Sequence, residues 1–374
     1  MYRWLRLKAG TGKSTLVNFI IAALNLNPNE EVCYIAYTGK AATVLKQKGC
    51  PNATTAHKLL YYSKQLPTGK FIHKPVTRLK DSYKIIVVDE ISMLPLSMWQ
   101  LLLAHKIHIL ALGDPGQLPP VEKDEDNHVL DNPHIFLDEV MRQAQDSEII
   151  RLSMHIRNNY PLHTFKCDNK EVQIISPYDA HIGIYKWADQ VLCATNATRN
   201  AINTLMRQAY GFGPEPNEND KIISLSNHWD FMSDFDGWAL TNGCIGNIDD
   251  KNFQTMYLPK YIYSYPLNIM MTNMSIESDT FTGIPIDYKC LQTGEPTLSA
   301  KAKYLLSKNK TLDFEPPFEF AYAYAISCHK AQGSEWKNVF VIEERFPFFN
   351  EEHKRWLYTA CTRASEKLII ARKE

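Results

Sequence analysis

Ala9-Gly-Thr-Gly-Lys-Ser-Thr15 runs directly into an apolar stretch, Leu16 to Leu24, that reads as a helix. Glycines such as Gly10 and Gly12 let backbone N–H groups wrap phosphate oxygens, and the helix N-terminus adds partial positive charge. Ala9, Thr11 and Thr15 complete the loop. Lys13 is placed to reach the β- and γ-phosphates of a nucleotide, and Ser14 to ligate Mg²⁺. The bland alternative is a glycine-rich helix cap that binds nothing. One position departs from the full pattern G-x-x-x-x-G-K-[ST]: Leu7 stands where its first glycine belongs. Only Met1-Tyr-Arg-Trp-Leu-Arg6 lies upstream. The strand feeding the loop is therefore expected to be very short, and the chain to be cut or altered just before it.

Downstream, short apolar strands alternate with helices. Val32 to Tyr37 reads as a strand and Lys40 to Lys48 as the next helix; Ile85 to Asp89 and Ile107 to Leu112 read as further strands. Apolar strands alternating with helices indicate a parallel sheet covered on both faces. A second alternation starts near Glu171, with a strand at Gln190 to Ala194 and a helix at Thr198 to Gln208. The tail continues it: strand from Phe318 to Ile326, helix from Glu351 to Thr362, strand from Lys367 to Ala371. Between these lie a hairpin insertion, about 59–83, and a Tyr-, Thr- and Met-rich stretch, 246–316, read as an inserted β domain. Tyr257 to Tyr265 is expected to be β structure, with the alternating Tyr261, Tyr263 and Tyr265 packing along a strand.

Two further clusters carry chemistry. Val87-Val-Asp-Glu90 is an apolar strand running into two acids. Asp89 is suited to hold Mg²⁺, directly or through water, and Glu90 to polarise an attacking water. Gly113-Asp-Pro-Gly-Gln-Leu-Pro-Pro-Val121 follows the next strand. Gln117 is placed to donate to the γ-phosphate, and the prolines stiffen the loop so that a shift at Gln117 is transmitted. Arg142 and Arg363 are candidate arginine fingers, offered from a neighbouring domain to transition-state charge. Either alone reads more readily as a surface ion pair, and only the surrounding motifs reverse that reading.

Composition bounds the rest. The chain has 374 residues, 45% hydrophobic and 22% charged, with net charge +0. That length suggests two to three domains. No global basic excess points to nucleic acid, although a local basic groove remains compatible. Eight scattered cysteines without a CxxC pair argue against a zinc site or a disulfide framework and suit a reducing compartment. Apolar runs are too short for a membrane span, and no signal peptide is visible. The expected setting is soluble and cytoplasmic, the host cytoplasm if the source is viral.

In order, these residues resemble superfamily 1 helicases of the 1B branch, the RecD/Dda type. Ala9 to Thr15 resembles motif I, Ala36 to Ala42 motif Ia, and Thr54 to Leu60 motif Ib. Val88 to Met93 resembles motif II and Gly113 to Val121 motif III. Arg142-Gln143 resembles motif IV, His329-Lys-Ala-Gln-Gly-Ser-Glu335 motif V, and Tyr358 to Ala364 motif VI. Asn242-Gly-Cys-Ile-Gly246 is similar to the turn ahead of the family's inserted domain. The resemblance implies two RecA-like α/β domains with parallel sheets: 1–138, and 139–245 plus 317–374, with 246–316 inserted. It implies an ATP-dependent DNA helicase moving 5′→3′ on single-stranded DNA toward a duplex fork, with ATP and Mg²⁺ as cofactors. Gly333 and Glu335 join the nucleotide-binding set. Thr38, Lys40, His57 and His329 are expected near the DNA track, and Phe71 or His73 at a strand-separating pin. A replication, recombination or nuclease partner fits this type, and a membrane does not. An RNA-directed motor and an impaired remnant acting as an interaction subunit are the alternatives. The family also carries a glutamine-containing adenine-recognition segment and a full first strand before motif I, and this sequence is expected to lack both.

Overall fold

The computed structural model describes residues 2–7, 13–65, 71–120, 127–137, 147–168, 170–277, 279–308, 316–344 and 350–372. The chain divides into two compact units. One comprises Met1–Leu60, Val76–Asn200 and Ala325–Glu374, the other Tyr61–Pro75 with Ala201–Tyr324.

The first unit holds two parallel sheets. One has the order Thr54–Thr55, Val32–Ala36, Ile85–Val88, His108–Gly113, Tyr2–Leu7, Ile135–Leu137. Two of its inner strands are apolar at every position: Val32–Ala36 and Ile85–Val88 are buried throughout. That is what helices on both faces require. The helices Lys13–Ala23 and Gly39–Gln47 cover it, packing Val17, Ile21, Ala41, Ala42 and Leu45 against Val32, Tyr34, Val87 and Leu110. The second parallel sheet has the order Ala325–Ser327, Gln190–Cys193, Trp336–Ile342, Ala364–Ala371, Val172–Ile175.

Three expectations need correction here. The strand before the glycine-rich loop is not vestigial. Tyr2–Leu7 is six residues long and hydrogen-bonded on both sides, Leu5 standing opposite both Leu112 and Ile135. Leu7 is its last residue, paired with Leu137, so this position lies in extended backbone rather than in a loop needing φ > 0. The span Phe318 to Ile326 is not one strand. Phe320–Tyr322 joins an antiparallel sheet of the second unit and Ala325–Ser327 the second parallel sheet of the first, so the two pieces serve different cores. The helix expected from Thr198 starts earlier, at Asn196: Thr195 Oγ1 accepts from Thr198 N (3.2 Å), and Glu344 braces that turn by accepting from Ala194 N, Thr195 N (3.0 Å) and the Thr198 hydroxyl.

The second unit is built on an antiparallel sheet. Its path is Asn252–Tyr257, Pro266–Ser275, Ile245–Ile248, Lys221–Ser224, Phe320–Tyr322, with Thr280–Asp287 also on Pro266–Ser275. The insertion expected at 246–316 is thus wider: Lys221–Ser224 and Phe320–Tyr322 are strands of the same sheet. Tyr257 to Tyr265 is not continuous β structure. The strand ends at Tyr257, and Pro259 turns the chain, its carbonyl accepting from Ile262 N (2.8 Å) and Tyr263 N (3.1 Å). Leu258 and Ile262 go inward, while Tyr261 and Tyr265 stay exposed. The hairpin expected within 59–83 is narrower, Tyr61–Gln65 paired with Phe71–Pro75, and its turn lies outside the described residues.

Gly246 sits where strands Ile245–Ile248 and Pro266–Ser275 approach closely. A methyl group there would collide with the Ser275 carbonyl oxygen and lie 2.6 Å from Met274 Cγ. Both obstacles are in a packed core, so neither yields cheaply. Gly246→Ala is expected to destabilise by about 1–3 kcal/mol. Thermal and urea melts read by circular dichroism test this, and an unchanged midpoint would refute the close packing.

Candidate active site

Three chain segments meet at the carboxyl edge of the first parallel sheet. Ile85–Val88 ends at Asp89 and Glu90, His108–Gly113 feeds the loop of Gln117, and Tyr2–Leu7 leads toward the glycine-rich loop. His108–Gly113 lies between the other two strands. Ligands of open α/β sheets sit outside this edge. Ala9, Gly10, Thr11 and Gly12 lie outside the described residues, as do the side chains of Lys13, Ser14 and Thr15; the helix itself begins at Lys13. Arg142 also lies outside them.

Asp89 is half-buried. Its N–H donates to Ile35 O (2.9 Å), and its Oδ1 accepts from Glu90 N (3.0 Å). Glu90 stands in left-handed backbone, φ 50 and ψ 49. Few non-glycine residues adopt it, and those that do gather at functional sites. Burial first, then the Asp89 carboxylate, push the Cys50 thiol up to about 11, so it stays protonated near the acid pair. Among the described residues no group of three His, Cys, Asp or Glu forms a metal cage. An all-oxygen acid pair on an open edge fits Mg²⁺, which keeps waters and takes other ligands from phosphates.

Gln117 is 4% exposed. Its N–H donates to Asp114 O (3.1 Å), and its Oε1 has no hydrogen-bond partner among the described residues. Asp114, buried, holds the loop. Its Oδ1 accepts from Gly116 N (2.9 Å) and from Arg157 Nη1 (2.8 Å), and its Oδ2 from the Tyr358 hydroxyl. Leu118 N donates to Thr359 Oγ1 (3.0 Å). Arg157 ends the helix Glu148–Arg157, and Tyr358 and Thr359 lie on the helix Asn350–Cys361. These helices pack on each other, and the first also on Ala364–Ala371 of the second parallel sheet. The Gln117 loop is therefore fastened to the second α/β body. Sequence reading missed Asp114, Arg157, Tyr358 and Thr359 as a set. An acid inside a proline-rich loop was the one available signal, and its partners lie far along the chain.

On the second body, Arg363 is buried and fully engaged. Its guanidinium donates to Thr359 O (3.1 Å), Ser334 O (3.2 Å) and Thr362 Oγ1 (3.2 Å). In this conformation it fastens motif VI to the turn of motif V. That turn holds Gly333 at φ +74, so close to Ala41 that an added Cβ would lie 3.0 Å from the Ala41 Cβ. Gln332 and Ser334 flank it; both are buried, and Gln332 Nε2 and Ser334 Oγ have no hydrogen-bond partner among the described residues. Glu335 is exposed.

Of the four expected track residues, Thr38 caps the helix Gly39–Gln47, its Oγ1 accepting from Ala41 N (3.2 Å). Lys40 is not simply a solvated charge: its Nζ lies 5.4 Å from the Trp336 ring centroid. His57 is exposed, with its ring 5.6 Å from that of Tyr37, and His329 is exposed. His73 Nδ1 lies 2.8 Å from Ser63 Oγ within its own hairpin, and the Phe71 side chain lies outside the described residues.

The sheet order, the acid pair and the fastened glutamine loop define a P-loop nucleotide hydrolase with two α/β bodies. Residues 2–175 match the family model of an AAA domain, and residues 322–371 that of a UvrD-like helicase C-terminal domain. The ATP-dependent RecD2 DNA helicase of Deinococcus radiodurans is 37% identical over 147 residues, covering 38% of this chain and 20% of its own length. A protein of Acanthamoeba polyphaga mimivirus, described only as uncharacterized protein R530, is 25% identical over 463 residues, covering 96% of this chain and 93% of its own. The crystal structure of Pif1 helicase from Candida albicans superposes with a TM-score of 0.58 at 17% identity, over 100% of this chain and 91% of the other. With the motif order, these matches support a superfamily 1B helicase. No helix among the described residues is long and apolar enough to cross a membrane.

Proposed function

We propose that this chain is an ATP-driven motor that moves 5′→3′ along single-stranded DNA and opens duplex at a fork. The observation that carries the reading is the fastening of the Gln117 loop, at the nucleotide edge of one α/β body, to two helices of the other through Asp114. Such a joint makes a change at the γ-phosphate mechanically visible to the second body, and two bodies gripping alternately ratchet a strand. The direction and the choice of DNA follow the superfamily 1B likeness.

In this reading Lys13 neutralises the β- and γ-phosphates and Gly10 and Gly12 wrap them. Ser14 and Asp89 hold Mg²⁺, which when bound neutralises phosphate charge. Glu90 accepts the proton of the attacking water. Gln117 donates to the γ-phosphate and orients that water with its Oε1, which has no hydrogen-bond partner among the described residues. Arg142 and Arg363 approach the transferring phosphoryl group when the bodies close, Arg363 by exchanging its present carbonyl partners for phosphate. Thr38, Lys40, His57 and His329 line the track, where hydroxyl, ammonium and imidazole groups make sequence-neutral backbone contacts.

The test is phosphate release with and without single-stranded DNA. Strong stimulation that is lost in Lys13→Ala, by about 10²-fold or more, is expected. Equal stimulation by RNA would shift the substrate class. No hydrolysis under any condition would reduce the chain to an interaction subunit and sink the motor reading.

A further inference from the structure

We propose that the second unit carries a site of its own for single-stranded DNA: a platform of Tyr257, Tyr261 and Tyr265 beside Lys260, on the turn 258–265. It extends the motor reading, whose expected track residues Thr38, Lys40, His57 and His329 all belong to the first unit.

The turn is closed and anchored. Its flanking residues Tyr257 and Pro266 are partners in the antiparallel ladder of Asn252–Tyr257 and Pro266–Ser275. The Pro259 carbonyl holds the reversal by accepting from Ile262 N and Tyr263 N. Leu258 and Ile262 sink into a core with Leu267, Leu298, Ala302 and Leu306. With these apolar residues drawn inward, the tyrosines face solvent: Tyr257 is 78% exposed, Tyr261 71% and Tyr265 70%. Tyr263 packs against the same core, and its ring meets that of Tyr265 edge-on at 5.8 Å. A single exposed aromatic needs no explanation, but three on one anchored turn form a patch. A turn already fixed by its own core loses little freedom when a ligand covers it.

The charge around the patch selects the ligand. From Tyr257 to Ile276 the one side chain ionised at neutral pH is Lys260. The helix Ala300–Lys308, whose Ala302 and Leu306 share the core of the turn, adds Lys301, Lys303 and Lys308 and no acid. Lys303 is paired with Glu319, while Lys301 and Lys308 are exposed. The whole chain carries net charge +0, so this neighbourhood of lysines without acids is a local feature. Aromatic faces stack on bases of any sequence, and lysines neutralise the phosphates between them. That combination suits a single strand, which offers both base faces and phosphates, whereas a duplex keeps its base faces stacked inside.

Crosslinking without nucleotide tests this. Oligothymidylate carrying 5-iododeoxyuridine, irradiated on the full chain and mapped by mass spectrometry, should attach to the peptide that holds Tyr257 to Tyr265. Tyr257→Ala, Tyr261→Ala and Tyr265→Ala should each weaken binding of a long oligothymidylate by about tenfold, read by fluorescence anisotropy. The corresponding Phe variants keep the ring and should bind like the wild type. Lys260→Ala should lower the slope of log affinity against log salt by about 0.7, which a merely structural residue would not move. Equal competition by oligouridylate would keep the site and widen its ligand to either sugar. Crosslinks confined to other peptides, or unchanged affinity in the triple Ala variant, overturn the proposal. So does self-association that the triple variant abolishes at unchanged DNA affinity, which would make the turn a protein contact. Melting curves exclude misfolding as the cause. Since no ATP is present, a chain that binds the strand here and hydrolyses nothing would sink the motor reading and leave this site standing.

Discussion

Glu90→Gln is expected to lower DNA-stimulated ATP hydrolysis by about 10²–10⁴ while nucleotide binding persists. The substitution keeps shape and removes only the basicity that accepts a proton from the attacking water. Because Gln is no base, the loss should appear in kcat and not in the affinity for a fluorescent ATP analogue. The backbone sharpens the prediction. Glu90 is held at φ 50, a conformation that costs an L-residue about 1–2 kcal/mol and is free to glycine. Glu90→Gly should therefore be as inactive as Glu90→Gln yet melt no lower than the wild type. A large residue kept in a strained position for chemistry predicts that pairing of dead enzyme with undiminished stability. Glu90→Gln with near wild-type turnover would remove Glu90 from the base role. A Glu90→Gly variant that melts well below the wild type would show that the side chain stabilises the fold.

The elements legible in the sequence were those whose signal is local. Val32–Ala36 and Ile85–Val88 are short uniform apolar runs, and parallel strands buried on both faces demand that pattern. The acid pair after Val88 and the proline-rich loop after Gly113 were readable because their chemistry is contiguous along the chain. Tyr2–Leu7 was misjudged because its place depends on partners remote in sequence: it is a central strand only because His108–Gly113 and Ile135–Leu137 flank it. Tyr257 to Tyr265 misled for the opposite reason. Its period of two is real, but the strand ends at Tyr257, Pro259 turns the chain, and the next strand begins only at Pro266, which leaves Tyr261, Tyr263 and Tyr265 on the turn between them. The joint at Asp114 was invisible as a set, since Arg157 and Tyr358 carry no mark of where they fold to. Arg363 was found by motif, but sequence could not reveal that its guanidinium is spent on carbonyls in this conformation.

Arg157→Met is expected to destabilise the protein by about 3–5 kcal/mol, because it strands the Asp114 carboxylate in the interior. The Asp114 side chain is 0% exposed and Arg157 10%, so solvent does little to replace the lost cation. Gly116 N and the Tyr358 hydroxyl remain as donors, but neither neutralises the charge. The thermal midpoint should drop by on the order of 10 °C. Adding Asp114→Asn to Arg157→Met should recover much of that stability, since an amide needs no counter-ion. Function should not recover with it. The pair joins the Gln117 loop to the helix Glu148–Arg157, and a folded protein lacking it has lost one of the links by which hydrolysis moves the second body. In the double variant, ATP turnover should therefore outlast unwinding, with fewer base pairs opened per ATP than in the wild type. Tyr358→Phe removes one hydrogen bond to the Asp114 carboxylate and leaves the cation in place; it should cost about 1.5–3 kcal/mol, with partial uncoupling. If Arg157→Met melted like the wild type, the ion pair would be mechanically idle. If the stabilised double variant unwound DNA with wild-type economy, coupling would have to run through another contact, and the Leu118 to Thr359 hydrogen bond is the nearest one left.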